Sequence, residues 1–216
     1  MRIVFSGISA ILILFFCNLA LGANSSAPKY SAVVVDANTR DILFADDEGK
    51  RLHPAGLTKL MTLYVAFKAI EDGEIGLDDK VIVSNHAASE APVKLGLRPR
   101  QKVRLRYLLR AAAVQGSNDA ATAIGEHLEG SEAAFARRMN RTAEALGMTR
   151  STFRNAHGLT ETGHLSTAQD IATLLLALND EYPDYFNLFS RITASAGVKT
   201  VRHSGRRLLS GDNRIL

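Results

Sequence analysis

His53-Pro54-Ala55-Gly56-Leu57-Thr58-Lys59-Leu60-Met61-Thr62 is the stretch on which the fold of this chain is read. Beyond it, Leu57, Leu60, Met61, Tyr64, Val65 and Phe67 to Ala69 recur at helical spacing and cover most of the helix circumference, so the helix is mostly buried. A loop that feeds a buried helix is a favourable place for chemistry. Side chains three residues apart there share one face, about one turn apart, and the positive end of the helix favours a developing oxyanion. A serine at position 56 would set its hydroxyl beside the amine of Lys59, which could take the proton during nucleophilic acyl transfer. The position holds Gly56 instead. The spacing and Lys59 are kept, but glycine has no atom that can attack a carbonyl.

Before this stretch, Ala32-Val33-Val34-Val35 reads as the heart of a strand running from Tyr30 to Asp36. Asn38-Thr39-Arg40-Asp41 turns the chain into a second strand, Ile42 to Ala45. After it, everything from Leu57 to about Leu178 reads mainly as helix. Ser131 caps an amphipathic helix with Phe135, Met139 and Leu146 on one side, and Gly147 stops it. Thr167-Ala168-Gln169-Asp170 resembles a capping box and is followed by Ile171, Leu174, Leu175 and Leu178. Leu174-Leu175-Leu176 is core packing, while Glu126 and Glu129 are expected to face solvent. The terminus turns strand-like again, and the whole is a mixed α/β layout.

The N-terminus reads as a leader. Met1-Arg2 gives a positive start, Ile8 to Phe16 an apolar run, and Ala20-Leu21-Gly22 the small residues a signal peptidase reads. Residues 1–22 are therefore expected to be a signal peptide of an exported protein of the periplasm or cell envelope, with one domain over residues 23–216. The apolar run is short for a membrane span, which takes about 20 residues, and Phe16 before Cys17 argues against lipidation. Cleavage would remove Cys17, the single cysteine, and with it any disulfide or thiolate site. With 46% apolar residues and a net charge of only +4, the chain is an ordinary globular protein. Its basic runs, Arg98 to Lys102 and Arg202 to Arg207, lack interleaved aromatics, so no nucleic-acid partner is expected. None of the six histidines, His53, His86, His127, His157, His164 and His203, stands at metal-ligand spacing in the sequence; no metal and no cofactor are expected. Asn24 and Asn140 open N-x-S/T triplets, which are common by chance.

The stretch from His53 to Thr62 resembles the H-P-A-S-L-T-K-x-M-T segment of penicillin-binding D-alanyl-D-alanine carboxypeptidases, with one substitution. The likeness runs through nearly the whole mature chain. Tyr30 to Asp36 is similar to the start of that family's first hairpin, and Lys94-Leu95-Gly96-Leu97-Arg98-Pro99 to its K-x-G-L-x-P-G turn, with Arg100 in place of the last glycine. Asn118-Asp119-Ala120-Ala121 resembles the end of its second motif. Ala145 to Met148 and Thr152 to Leu159 resemble its A-L-G-M…T-x-F-x-N-x-x-G-L stretch. The resemblance implies a serine β-lactamase/DD-peptidase-like α/β fold: an N-terminal β-hairpin and a helical region.

It also exposes departures. The family's second motif is S-x-N, whose serine relays a proton to the leaving amine. In register this chain has Gly116-Ser117-Asn118, so Ser117 stands one residue late and points elsewhere. Asn118 keeps its register and is expected to hold a substrate amide. No counterpart of the K-T-G motif appears: Lys199-Thr200 is followed by Val201, and Asn213-Arg214-Ile215-Leu216 resembles the N-R-L-L that precedes it. The C-terminal sheet strands are accordingly expected to be missing, and the open hairpin to pair with a protein partner that completes the sheet edge. Lys59 in the general-base position, Gly56 in the nucleophile position, the displaced Ser117 and the substrate-binding Asn118 are the candidate site. Three functional readings are open. The first is an inactive family member that still takes a peptidoglycan stem peptide or a β-lactam. The second is a weak serine-type carboxypeptidase using Ser117 or water, and the third a functionless product of a truncated gene.

Overall fold

The computed structural model describes residues 30–197 and 199–202. The expected signal peptide and the Asn213-Arg214-Ile215-Leu216 segment lie outside the described residues. Packing divides the chain after Tyr30, and every strand and helix of the described residues belongs to the unit that begins at Ser31.

Strand β1 (Ala32–Val35) pairs antiparallel with β2 (Ile42–Asp46), as Ala32 with Asp46 and Val34 with Phe44, with a register shift between Val34 and Val35. The turn between them is fixed by Asp36, whose carboxylate accepts the N–H groups of Asn38 and Thr39 at 2.8 and 2.9 Å. Those same backbone bonds hold its pKa below the usual carboxylate value. β2 is exposed along its whole length.

Helix α1 (Thr58–Glu71) forms the centre. Leu60, Met61, Leu63, Val65, Ala66, Phe67 and Ala69 are all essentially inaccessible, so the helix is apolar around nearly its full circumference, as a core helix must be. Phe67 stacks on Tyr185 with ring centroids 4.4 Å apart, and Tyr64 meets Tyr182 edge-on at 5.3 Å. A pair of three-residue strands, β3 (Lys80–Ile82) and β4 (Lys102–Arg104), flanks the short helix α2 (Asn85–Ser89). Helix α3 (Leu105–Arg110) runs on into one π-helical turn, Ala111–Gln115, that ends at Gly116 with φ 76°. Helix α4 (Asn118–Glu129) and helix α5 (Glu132–Ala145) pack tightly where Gly125 faces the Phe135 ring: a Cβ there would lie 2.6 Å from a ring carbon. Helix α6 (Ala168–Glu181) lies against β1, and α7 (Pro183–Phe186) leads through a 3₁₀ turn to the antiparallel pair β5 (Thr193–Ala196) and β6 (Lys199–Arg202).

The caps stand where the local sequence put them. Ser131 Oγ accepts from Ala134 N–H and Thr167 Oγ1 from Asp170 N–H, while Gly147 adopts φ 78° after α5. Two expectations are corrected. The region from Leu57 to Leu178 is not mainly uninterrupted helix, since it contains the β3–β4 ladder and a long irregular stretch from Gly147 to Ser166. Glu126 does not face solvent: its side chain is 17% exposed and bonded to His86. Glu129 is turned in as well, to Arg138 at 3.0 Å.

Candidate active site

The loop before α1 makes one 3₁₀ turn, Ala55–Leu57, and enters the helix without a side-chain cap. Ala55 takes φ 47°, a left-handed conformation that L-residues adopt only at a cost. What holds it is the loop around Gly158. A Cβ on Gly158, whose φ is 90°, would lie 1.8 Å from the Ala55 carbonyl oxygen. Two backbone segments thus touch where only a glycine permits it. Asn155 Oδ1 accepts from Gly158 N–H at 2.7 Å and fixes that loop in turn.

The same loop satisfies the buried polar groups of α1. Lys59 Nζ donates to the His157 carbonyl at 2.7 Å, and Thr62 Oγ1 to the Ala156 carbonyl at 2.6 Å. The Nδ1 of His164 accepts from Arg154 N–H at 3.2 Å, which leaves its Nε2–H to donate to Thr58 Oγ1 at 2.9 Å. His53 Nδ1 bonds the His164 carbonyl at 2.9 Å. Burial lowers the Lys59 pKa to about 8, against a smaller upward pull from Glu90. It also pushes His157 and His164 down to about 4, so both rings are neutral at physiological pH. A lysine near 8 can exchange a proton close to neutrality.

Gly56 faces open space: a Cβ built on it meets no atom within 4 Å. Ser117 precedes and Asn118 opens α4, which packs against α1, as does the π-helical turn before it. Ser117 is fully buried, and its hydroxyl donates to Gln115 Oε1 at 3.0 Å. Asn118 uses its amide within the fold, with Nδ2 donating to the Ala91 carbonyl at 3.0 Å and the Pro92 carbonyl at 3.3 Å.

Two features of the site escaped the sequence reading. Asp119 is a clamp: Oδ1 accepts from Leu95 and Ala120 N–H at 2.8 and 2.9 Å, and Oδ2 from Gly96 and Leu97 N–H at 2.8 and 3.0 Å. It ties the 94–97 turn to the start of α4, which explains why the two segments occur together; its place in the Asn118-Asp119-Ala120-Ala121 run was the available signal. Lys199 is the other, its Nζ reaching the Leu95 carbonyl at 3.1 Å from the beginning of β6.

With Lys59 one turn past a loop-held backbone kink and an Asn-led helix beside it, the fold is of the DD-peptidase/β-lactamase-like class. Solved structures agree. Penicillin-binding protein 6B of Escherichia coli superposes with a TM-score of 0.74 at 33% identity, over 82% of this chain and 59% of that one. The ampicillin-bound form of penicillin-binding protein D2 of Listeria monocytogenes superposes with a TM-score of 0.72 at 27% identity, over 80% of this chain and 70% of that one. Residues 23–214 match the D-alanyl-D-alanine carboxypeptidase family, and the chain belongs to it. Among curated relatives, D-alanyl-D-alanine carboxypeptidase DacF of Bacillus subtilis is 38% identical over 144 residues, 67% of this chain and 37% of that protein. The chain spans less than half the length of this relative.

Proposed function

We propose that this chain is a non-catalytic member of its family: an exported protein of the periplasm or cell envelope whose site takes a peptidoglycan stem peptide or a β-lactam without forming an acyl-enzyme. The observation that carries the reading is the empty space at Gly56, set beside a Lys59 that keeps its burial, its carbonyl partner and a pKa near 8. Lys59 stands where it could activate a hydroxyl at position 56, and Gly56 has none. In serine hydrolases, deleting the nucleophile alone lowers kcat by about a million-fold. Ser117 offers no ready substitute, being fully buried with its hydroxyl directed to Gln115. The Listeria relative captured with ampicillin supports β-lactams as the ligand class. The uncovered β2 strand is where a protein partner would complete the sheet edge.

The test is the intact mass of the purified chain after incubation with a labelled penicillin, beside Gly56→Ser. The serine has room, so the variant should acquire one adduct while the unaltered chain acquires none. An adduct on the unaltered chain would overturn the reading and direct peptide mapping to Ser117. If neither protein is labelled, the site does not assemble around position 56 and the binder reading falls.

A further inference from the structure

Behind Lys59 lies a cluster that the family chemistry leaves unused. His86 from α2, Glu90 just beyond it and Glu132 at the start of α5 bring three metal-competent atoms together, with Glu126 of α4 and the His157 ring around them. His86 Nε2 stands 3.6 Å from Glu90 Oε1 and 3.7 Å from Glu132 Oε2. Donor atoms about 2.1 Å from a tetrahedral ion lie about 3.4 Å from one another. The spacing is that of ligands around an ion and too long for direct hydrogen bonds.

The surroundings orient each donor. Glu126 Oε1 accepts the Nδ1–H of His86 at 2.9 Å, so Nε2 is the nitrogen left to face the two other carboxylates. A carboxylate bonded to the far nitrogen of a histidine is how metal-bound imidazoles are usually held. Glu132 Oε1 accepts from Ala156 N–H at 3.0 Å, which leaves Oε2 turned to His86. Glu90 Oε1 accepts from Thr122 Oγ1 at 2.9 Å. On the inner side, His157 Nδ1 accepts from Leu159 N–H at 3.0 Å. Its Nε2–H is therefore directed to Glu90 Oε1 and Glu132 Oε1, 3.3 and 3.4 Å away, and it serves as a buttress and not as a ligand.

Acidic side chains outnumber basic ones at the cluster. Three carboxylates with little exposure face one histidine, with Lys59 acting on Glu90 from the far side. Glu126 Oε2 is buried without a hydrogen-bond partner. A buried carboxylate is strongly disfavoured unless it is paired or coordinates a metal. His86 is 54% exposed, so an ion has a way in and a water can complete its coordination.

We propose that His86 Nε2, Glu90 and Glu132 bind one divalent transition-metal ion of the zinc class. Mixed imidazole and carboxylate donors in a three-ligand site with an open position suit that class better than the six to eight oxygens of calcium. The site went unseen in the sequence because its ligands come from two segments more than forty residues apart, and the one close pair, His86 and Glu90, is a histidine and a carboxylate with no second histidine at that spacing.

The test is titration of the EDTA-treated full chain with zinc chloride by calorimetry, together with cobalt(II) absorption. One zinc per chain is expected, with intense visible cobalt bands of a tetrahedral site. His86→Ala and Glu90→Gln should each weaken binding at least about tenfold and abolish the cobalt bands. Metal-free melting of each variant should lie close to that of the parent, which separates lost ligands from a lost fold; Gln keeps the shape of Glu90 and His86 is half in solvent. Absence of stoichiometric binding to the parent, or binding that survives both substitutions, would overturn the proposal. Neither result bears on whether Gly56→Ser acquires a penicillin adduct.

Discussion

Lys59 carries the most informative single-residue energy in the molecule. The residue is 6% exposed, and its pKa is about 8 against an ordinary 10.5. The folded chain thus prefers neutral Lys59, whereas the unfolded chain keeps the proton until about pH 10.5. Below pH 8 the buried charge is a full penalty, of order 3 kcal/mol, and the penalty fades as pH rises toward 10.5. Tyr64 and Tyr182, whose pKa values are raised by burial, act in the opposite direction above pH 10, and they do so in any variant alike. Lys59→Met keeps the volume and removes the titration. Between pH 7.5 and 9.5 the parent should therefore gain roughly 2 kcal/mol of stability relative to Lys59→Met, read as the change in the gap between their urea unfolding curves. A gap that stays constant across that range would show that Lys59 is solvated and charged in the folded protein, and with it would go the argument that a base has been preserved next to Gly56.

At the scale of elements, the contacts that build the site run between segments and not along them. Asp119 joins the 94–97 turn to α4 through four N–H groups on one carboxylate. Asp119→Ala leaves the buried Leu95 and Leu97 amides without acceptors, at about 1–3 kcal/mol for each orphaned donor. A loss of about 3 kcal/mol or more is expected in urea unfolding, with faster hydrogen exchange at Leu95, Gly96 and Leu97. Equal stability with slow exchange would mean that water replaces the carboxylate there. The same contrast explains what could be read in advance. The Ser131 and Thr167 caps, the β1–β2 turn and the buried course of α1 each depend on residues within a turn or two of one another, and each was legible. The three-residue strands β3 and β4 were not, because so short a run carries no periodicity and they pair across an intervening helix. The irregular stretch from Gly147 to Ser166 was missed because its order comes from side chains of α1 and α5: Lys59, Thr62 and Asn140 bond its backbone. Glu126 reads as solvent-facing in the sequence because its partner, His86, is 40 residues earlier. Glycine at 56 and the one-residue displacement of Ser117 were legible because they are departures within a strongly patterned frame, while the hydrogen bond that turns Ser117 to Gln115 was not.

For the molecule as a whole, the β1–β2 hairpin is the least protected part of the described fold. Ile42, Leu43 and Phe44 are each more than half exposed, on alternate faces of one strand, with the exposed Val34 paired to Phe44. β1 packs against α6, and the hairpin is pinned there by the Arg40–Asp180 ion pair and by Gln169 N–H to the Glu48 carbonyl at 3.1 Å. An exposed apolar strand with unpaired backbone groups on its outer side is a template for another strand, and a two-stranded ladder gains stability from a third. The purified chain should therefore self-associate with rising concentration, as seen by sedimentation velocity. Leu43→Lys puts a charge at the most exposed of these positions and should suppress that association while changing the unfolding free energy by no more than about 0.5 kcal/mol, the usual range for a surface substitution. If association persists in Leu43→Lys with stability unchanged, the hairpin is not the contact, and the case for a partner strand at this edge is lost. If the variant unfolds instead, Leu43 is covered in solution, and an intramolecular or dimeric contact already completes the sheet that the described residues leave open.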